Sequence, residues 1–207
     1  MSSLRHIGQD RPDPPDRLDT YLDAARACIL DVGWRRTTLT EVARRAGVSR
    51  MTIYRAWPDM GSLLGDLMTR EWVGIAAATQ GAAAASSTGT TTPDGIATAA
   101  LSTVRALRDN ELFVRIVELD PDLMLPYLLH RRGRSQQALI EILAAGIAAG
   151  QERGAIRDGD PVLMARSLTL AGHGFVFSAL TMTDERIGLD ELDDEYARLI
   201  RRTLEPR

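Results

Sequence analysis

Residues 38–57 read TLTEVARRAGVSRMTIYRAW. Thr38 carries the hydroxyl of a helix N-cap, and Glu41, three positions on, completes a capping box. Leu39, Val42, Ala43 and Ala46 recur at the spacing of one helical face. Gly47 then admits a positive φ that other residues resist, so the chain turns sharply, with Val48 as an apolar plug for the corner. Ser49 caps a second short helix. On it Ile53 faces inward, which leaves Arg50, Met51, Thr52 and Arg55 mainly outward and puts Tyr54 and Trp57 towards the far end. Two short helices, about 39–46 and 50–56, joined by a three-residue glycine turn make a helix-turn-helix.

The second helix of such a motif fits the major groove of a duplex. An arginine there binds guanine through two hydrogen bonds, and a methionine or threonine methyl touches the thymine methyl. Hydroxyls and the remaining arginines suit phosphate, which sets register without reading sequence. The candidate nucleic-acid contacts are therefore Arg35, Thr38, Thr40, Ser49, Arg50, Met51, Thr52, Tyr54 and Arg55. Charge agrees. Between Gly33 and Trp57 six arginines face a single acid, Glu41, whereas acids outnumber arginines from Pro58 onward. A basic patch beside an acidic remainder is the asymmetry expected when one part of a chain meets phosphate. Arg44 and Arg45, on the first helix, read as a solvated face or as backbone contacts.

Outside the motif the chain reads as all-α. It has 207 residues, 44% of them hydrophobic and only 5% aromatic. That is enough for a core and is dominated by helix formers. Residues 1–16, with Pro12, Pro14 and Pro15, read as a flexible arm, residues 17–64 as a three-helix domain holding the motif, and residues 65–207 as a larger helical domain. In the larger domain the apolar spacing predicts helices over about 94–109, 111–118, 121–130, 133–153, 160–182 and 189–204. A helix over about 61–78 precedes them, and the small polar run Thr79–Gly95 reads as a loop or as a helix end fraying into one, with Ala82–Ala85 able to stay helical. Lysine is absent and Cys28 is the sole cysteine, so no disulfide forms within one chain and a reducing cytosol is expected. The N-terminus lacks the apolar segment of a signal peptide, and no apolar run reaches the roughly 20 residues of a membrane span. A soluble, cytoplasmic protein with no membrane partner is the expectation.

From Leu18 to Leu64 the chain resembles the DNA-binding domain of TetR-family transcriptional regulators. The matching residues are the Gly33 and Thr37-Thr38 approach, Thr40-Glu41-Val42-Ala43, Ala46-Gly47-Val48-Ser49, Ile53-Tyr54, the Trp57-Pro58 junction and Leu63-Leu64. The resemblance implies a homodimer, most often a repressor, that binds a palindromic DNA operator and releases it when a small-molecule effector fills a cavity in the C-terminal domain. It also implies phosphate contacts from Thr38 and Tyr54. One position departs from the pattern: where the family often has a lysine at the start of the fourth helix, this chain has Met60. A helical protein–protein interaction module that keeps the motif as a scaffold is the alternative reading, favoured by Met60 and the acidic arm.

For a ligand cavity, Phe113, Val117, Met124, Leu128, Met164, Leu168, His173 and Phe177 are the candidates, a mainly apolar set suited to a hydrophobic or amphipathic molecule. For dimerisation, residues 160–182 offer small side chains for close approach, and Leu189, Leu192, Tyr196, Leu199 and Ile200 stripe the last helix. The three histidines, His6, His130 and His173, are far apart, so no metal site and no cofactor are expected. Cys28 reads as a small buried hydrophobe. The acids Asp190–Glu195 suit the positive end of the last helix without calcium. No nucleophile–base set stands in a catalytic context, so no enzymatic activity is expected.

Overall fold

A computed structural model describes residues 15–85 and 90–206, and the expected arm lies almost wholly outside them. Among the described residues there is no strand. The chain divides into two compact units, one ending at Leu67 and the other starting at Met68.

The first unit holds α1 (Pro15–Val32), α2 (Leu39–Ala46), α3 (Arg50–Ala56) and the start of α4 (Met60–Ala85). α1 stops where Gly33 adopts φ +82°, and a 3-10 turn, Trp34–Arg36, leads on. Thr38 Oγ1 accepts the N–H of Glu41 at 3.2 Å and starts α2. The expected capping box is only half built. The Glu41 carboxylate turns away from the cap to accept from Arg44 Nε at 3.0 Å and Nη2 at 2.6 Å, because a guanidinium one turn on is the stronger partner. Gly47 takes φ +70° at the corner, and Ser49 Oγ accepts the N–H of Thr52 at 3.2 Å to start α3. Leu39, Val42, Ala43 and Ile53 are buried, as are Leu22, Ala25 and Ile29 on α1. Trp57 ends α3 in the core. Its ring meets Tyr21 edge to face at 6.4 Å between centroids, and its indole N–H donates to Asp66 on α4 at 2.7 Å.

The second unit continues α4 and adds α5 (Pro93–Arg108), α6 (Glu111–Leu119), α7 (Leu125–Leu129), α8 (Arg134–Glu152), α9 (Pro161–Phe177) and α10 (Leu189–Leu204). α8 packs on α9, and α5 packs on both α9 and α10. Their shared core includes Ile96, Val104, Ile140, Ile147, Leu168 and Ile200. Thr92, Asn110 and Asp160 cap α5, α6 and α9 through their side-chain oxygens. Asp193 on α10 is buried and accepts from Arg105 Nε at 2.7 Å and Arg108 Nη2 at 2.6 Å, which ties α10 to α5. Gly150 is needed for contact. A Cβ there would lie 2.5 Å from the Thr91 carbonyl oxygen and 2.4 Å from Ile156 Cδ1.

Three helix boundaries differ from the expectation. α4 continues through Thr79 into the Ala82–Ala85 run that could stay helical, Gly81 alone being too weak to stop it. Residues 121–130 do not form one helix. A 3-10 turn, Pro121–Leu123, precedes the five-residue α7, since Pro126 cannot donate back to the preceding turn. α9 ends at Phe177 and a 3-10 turn, Ala179–Met182, follows. There the Thr181 hydroxyl donates to the Ser178 carbonyl at 2.8 Å, a local bond that competes with helix continuation.

Candidate nucleic-acid interface and buried cavity

In the first unit, burial of Ile53 fixes the roll of α3 and so decides what the helix presents. Arg50, Met51, Tyr54 and Arg55 all come to the surface, with Met51 75% and Tyr54 46% exposed. Met51 thus offers an apolar side chain on this surface. Ser49 and Thr52 sit at the N-terminus of α3 with their hydroxyl oxygens 2.9 Å apart. One hydroxyl donates to the other, so one O–H of the pair is left to donate elsewhere. Thr38 is exposed at the start of α2. Its Oγ1 uses a lone pair on the cap, which leaves its own O–H free to donate outward. Thr40 is half-buried, and Arg35 is exposed beyond the 3-10 turn.

Electrostatics sharpen the surface. Glu41, the one acid of the 33–57 stretch, is held below the usual carboxylate range by its hydrogen bonds from Arg44. Arg45 pairs with Asp31 across to α1. These two arginines therefore have partners within the unit. Met60 opens α4 immediately after Asp59, whose carboxylate accepts the N–H of Ser62 at 2.7 Å and is held low by that bond. Cys28 is buried, and burial raises its thiol above the ordinary value, so it is an unreactive core side chain.

In the second unit a cavity of about 440 Å³ lies among α4, α5 and the helices that follow. Six of the eight residues expected there line it: Phe113, Met124, Leu128, Leu168, His173 and Phe177. Val117 and Met164 do not. Val117 is half-buried one turn beyond Phe113 on α6. Met164 is packed in the core, where Gln151 Nε2 reaches its sulfur at 3.7 Å. Trp72, Tyr127, Gln136 and Tyr196 line the cavity without having been expected.

Trp72, Phe113, Phe177 and His173 form an aromatic row, with successive centroids 6.0, 5.3 and 6.3 Å apart. Gln136 is oriented by two backbone groups: its Oε1 accepts the Gly133 N–H at 2.8 Å, and its Nε2 donates to the Tyr127 carbonyl at 3.3 Å. That places Gln136 Nε2 3.4 Å from His173 Nε2. Burial pushes the His173 imidazole below its ordinary value, so it is neutral at neutral pH. The last-helix stripe is used partly inside the chain. Tyr196 and Ile200 are core residues, whereas Leu199 is exposed. Among the described residues no group of histidine, cysteine and carboxylate side chains could hold a metal, and no helix is long and apolar enough to cross a membrane.

Known proteins share this fold. An uncharacterized HTH-type transcriptional regulator of Mycobacterium bovis, Mb2274c, is 35% identical over 167 residues, 79% of this chain and 84% of that protein. The transcriptional repressor QsdR of R. erythropolis, from the TetR family, superposes with a TM-score of 0.67 at 18% identity, over 94% of this chain and 98% of that one. SmeT, solved as a complex with triclosan, superposes with a TM-score of 0.60 at 19% identity, over 92% of each chain. SmeT is the repressor of the Stenotrophomonas maltophilia multidrug efflux pump SmeDEF. Residues 22–67, which hold the capped α2–Gly47–α3 corner, match the family described as bacterial regulatory proteins, tetR family. A helix-turn-helix with its second helix exposed, an all-helical second unit and a relative alike along most of both chains place this chain in the TetR family of transcriptional regulators.

Proposed function

We propose that this regulator is a homodimeric repressor that binds a palindromic operator and is released by a hydrophobic or amphipathic small molecule held in the second unit. The observation that carries the reading is the exposed face of α3, where Arg50, Met51, Tyr54 and Arg55 stand out around a fully buried Ile53. Arg50 and Met51 read base edges, and Ser49, Thr52 and Arg55 complete the recognition helix. Thr38, Thr40, Tyr54 and Arg35 hold the phosphate backbone.

Reading two successive major grooves needs two copies about 34–36 Å apart, or a multiple of that spacing. Pairing is supported by Leu163 and Leu170, 63% and 72% exposed and seven residues apart on α9, and by the exposed Leu199 of α10. Effector release is supported by the cavity, whose size is that of a small-molecule site, and by SmeT, a repressor solved with triclosan bound.

A gel shift with the DNA flanking the protein's own gene, at two salt concentrations, tests the reading. Expected are a shifted band whose stoichiometry is two chains per site and a steep loss of affinity with salt. No binding at low salt would leave the motif as a scaffold and overturn the proposal.

A further inference from the structure

The cavity's lining has chemistry beyond its size. None of the described residues that line it is charged. Three of its hydroxyls are spent on backbone carbonyls. Thr103 Oγ1 donates to the Ala99 carbonyl and Thr169 Oγ1 to the Ala165 carbonyl, each at 2.8 Å, and Tyr196 Oη donates to the Leu168 carbonyl at 3.4 Å. Gln80, Thr90 and Tyr127 also carry donors on the lining. The Trp72 indole N–H has no acceptor among the described residues, but it is buried away from the open space. A further donor is on His173. Gln136 Nε2 can only donate, so His173 Nε2 is the acceptor of their contact and the imidazole proton sits on Nδ1. Nδ1–H has no acceptor among the described residues. That donor stands at one end of the aromatic row.

An unpaired buried N–H is costly, and an occupant that accepts from it recovers that cost. An ionised carboxylate brings a larger cost of its own, because no cation lines the cavity to offset its desolvation. We propose that the cavity selects a neutral, largely apolar molecule carrying an accepting oxygen, such as a ketone, ester or lactone carbonyl, bound by His173 Nδ1–H, and discriminates against carboxylates of the same shape. The proposal rests on the cavity being the effector site of the repressor.

The test uses the full chain without DNA and three probes on one naphthalene skeleton. They are 6-propionyl-2-(dimethylamino)naphthalene, whose emission reports hydrogen bonding to its carbonyl, the matching 6-carboxylate, and the matching 6-propyl hydrocarbon. The ketone is expected to bind about tenfold tighter than the hydrocarbon, the worth of one buried hydrogen bond, and tighter still than the carboxylate. His173→Phe keeps ring bulk and removes the donor. It should bring ketone affinity down to that of the hydrocarbon, while an unchanged circular dichroism spectrum and melting temperature vouch for the fold. A carboxylate bound as tightly as the ketone overturns the proposal and points to Arg131, whose guanidinium lies 4.8 Å over the ring of the lining residue Tyr127. Equal affinity for ketone and hydrocarbon in the natural chain overturns it too, as does binding of none of the three. Ketone binding that fails to release operator DNA would remove the effector role and leave the ligand selectivity standing.

Discussion

Replacing Asp193 by alanine removes the carboxylate that joins α10 to α5, and the structure sets the size of the loss. The side chain is 1% exposed and receives hydrogen bonds from two arginines of unequal setting. Arg105 is 45% exposed, so its share of the attraction is screened and amounts to no more than about 1 kcal/mol. Arg108 is 10% exposed, and its Nη1 already lacks a partner. Stripping its counter-ion leaves a buried charge uncompensated, which costs about 3–5 kcal/mol. Urea unfolding of the second unit, followed by circular dichroism at pH 7, should show that loss, and the melting temperature should fall by roughly 6–20 °C. Glu195→Ala is the control. It breaks an ion pair of the same length, but both partners are more than 60% exposed, so less than about 1 kcal/mol is at stake. Acid supplies a second readout. Burial pushes the Asp193 carboxyl up, and the bonds from Arg108 and Arg105 more than offset that, so it ionises below its ordinary value of 3.8. Its stabilisation is therefore complete above pH 3.8 and is lost as the pH falls through the lower folded value. The gap between the natural chain and Asp193→Asn should be flat from pH 7 to 5 and close only in stronger acid. If Asp193→Ala costs no more than Glu195→Ala, burial is not what sets the strength of this contact, and the reasoning fails.

Ser49→Ala removes the cap of a seven-residue helix and should cost the first unit about 1 kcal/mol in a denaturant titration. Ser49→Asp keeps the cap but sets a carboxylate against phosphate, so stability should be retained while DNA affinity falls; equal DNA binding would move Ser49 off the interface. Arg50→Ala should weaken operator binding by about 1–3 kcal/mol in a way that depends on operator sequence. A uniform loss on all DNA would instead assign Arg50 to phosphate. Gly150→Ala should destabilise by about 1–3 kcal/mol, since the new methyl meets a backbone oxygen, whereas Gly81→Ala, with open space around it, should be neutral or stabilising by up to about 1 kcal/mol. Equal melting of the two variants would refute the close approach of α8 to Thr91.

The helix-turn-helix was legible almost to the residue because its boundaries are written in side chains. Thr38, Gly47 and Ser49 each perform a local act, and the bond or dihedral that performs it lies within three residues. Elsewhere the punctuation is weaker. Nothing between Thr79 and Ala85 stops a helix, and α4 continues. Pro126 breaks what apolar spacing alone joins. Glu41 shows the limit even inside the motif. Its spacing from Thr38 suits a capping box, but spacing says nothing of the competing guanidinium of Arg44 that takes its carboxylate.

The cavity was legible in part for a geometric reason. Helical periodicity fixes the face on which a side chain lies but not the height along the axis at which neighbouring helices part. Met164 and Leu168 are one turn apart on the same face of α9, as are Phe113 and Val117 on α6. Leu168 and Phe113 reach the open space, while Met164 meets close packing and Val117 lies off the lining. What separates them is where the neighbouring helices leave space, and that is a property of all the helices at once. The same limit explains the overlooked polar groups. Gln136 looks like a surface residue of the first turn of α8. It lies inward because the Gly133 N–H and the Tyr127 carbonyl, on the segment before that helix, satisfy its amide. Once that amide is held, His173 has its acceptor nitrogen engaged and its donor turned to other use. A single backbone-satisfied glutamine therefore sets which proton the cavity offers, and Gln136→Leu should release the imidazole from one tautomer. Nitrogen chemical shifts of the His173 ring would show this as averaging between Nδ1–H and Nε2–H. Shifts unchanged from the natural chain would mean that Gln136 does not hold the tautomer.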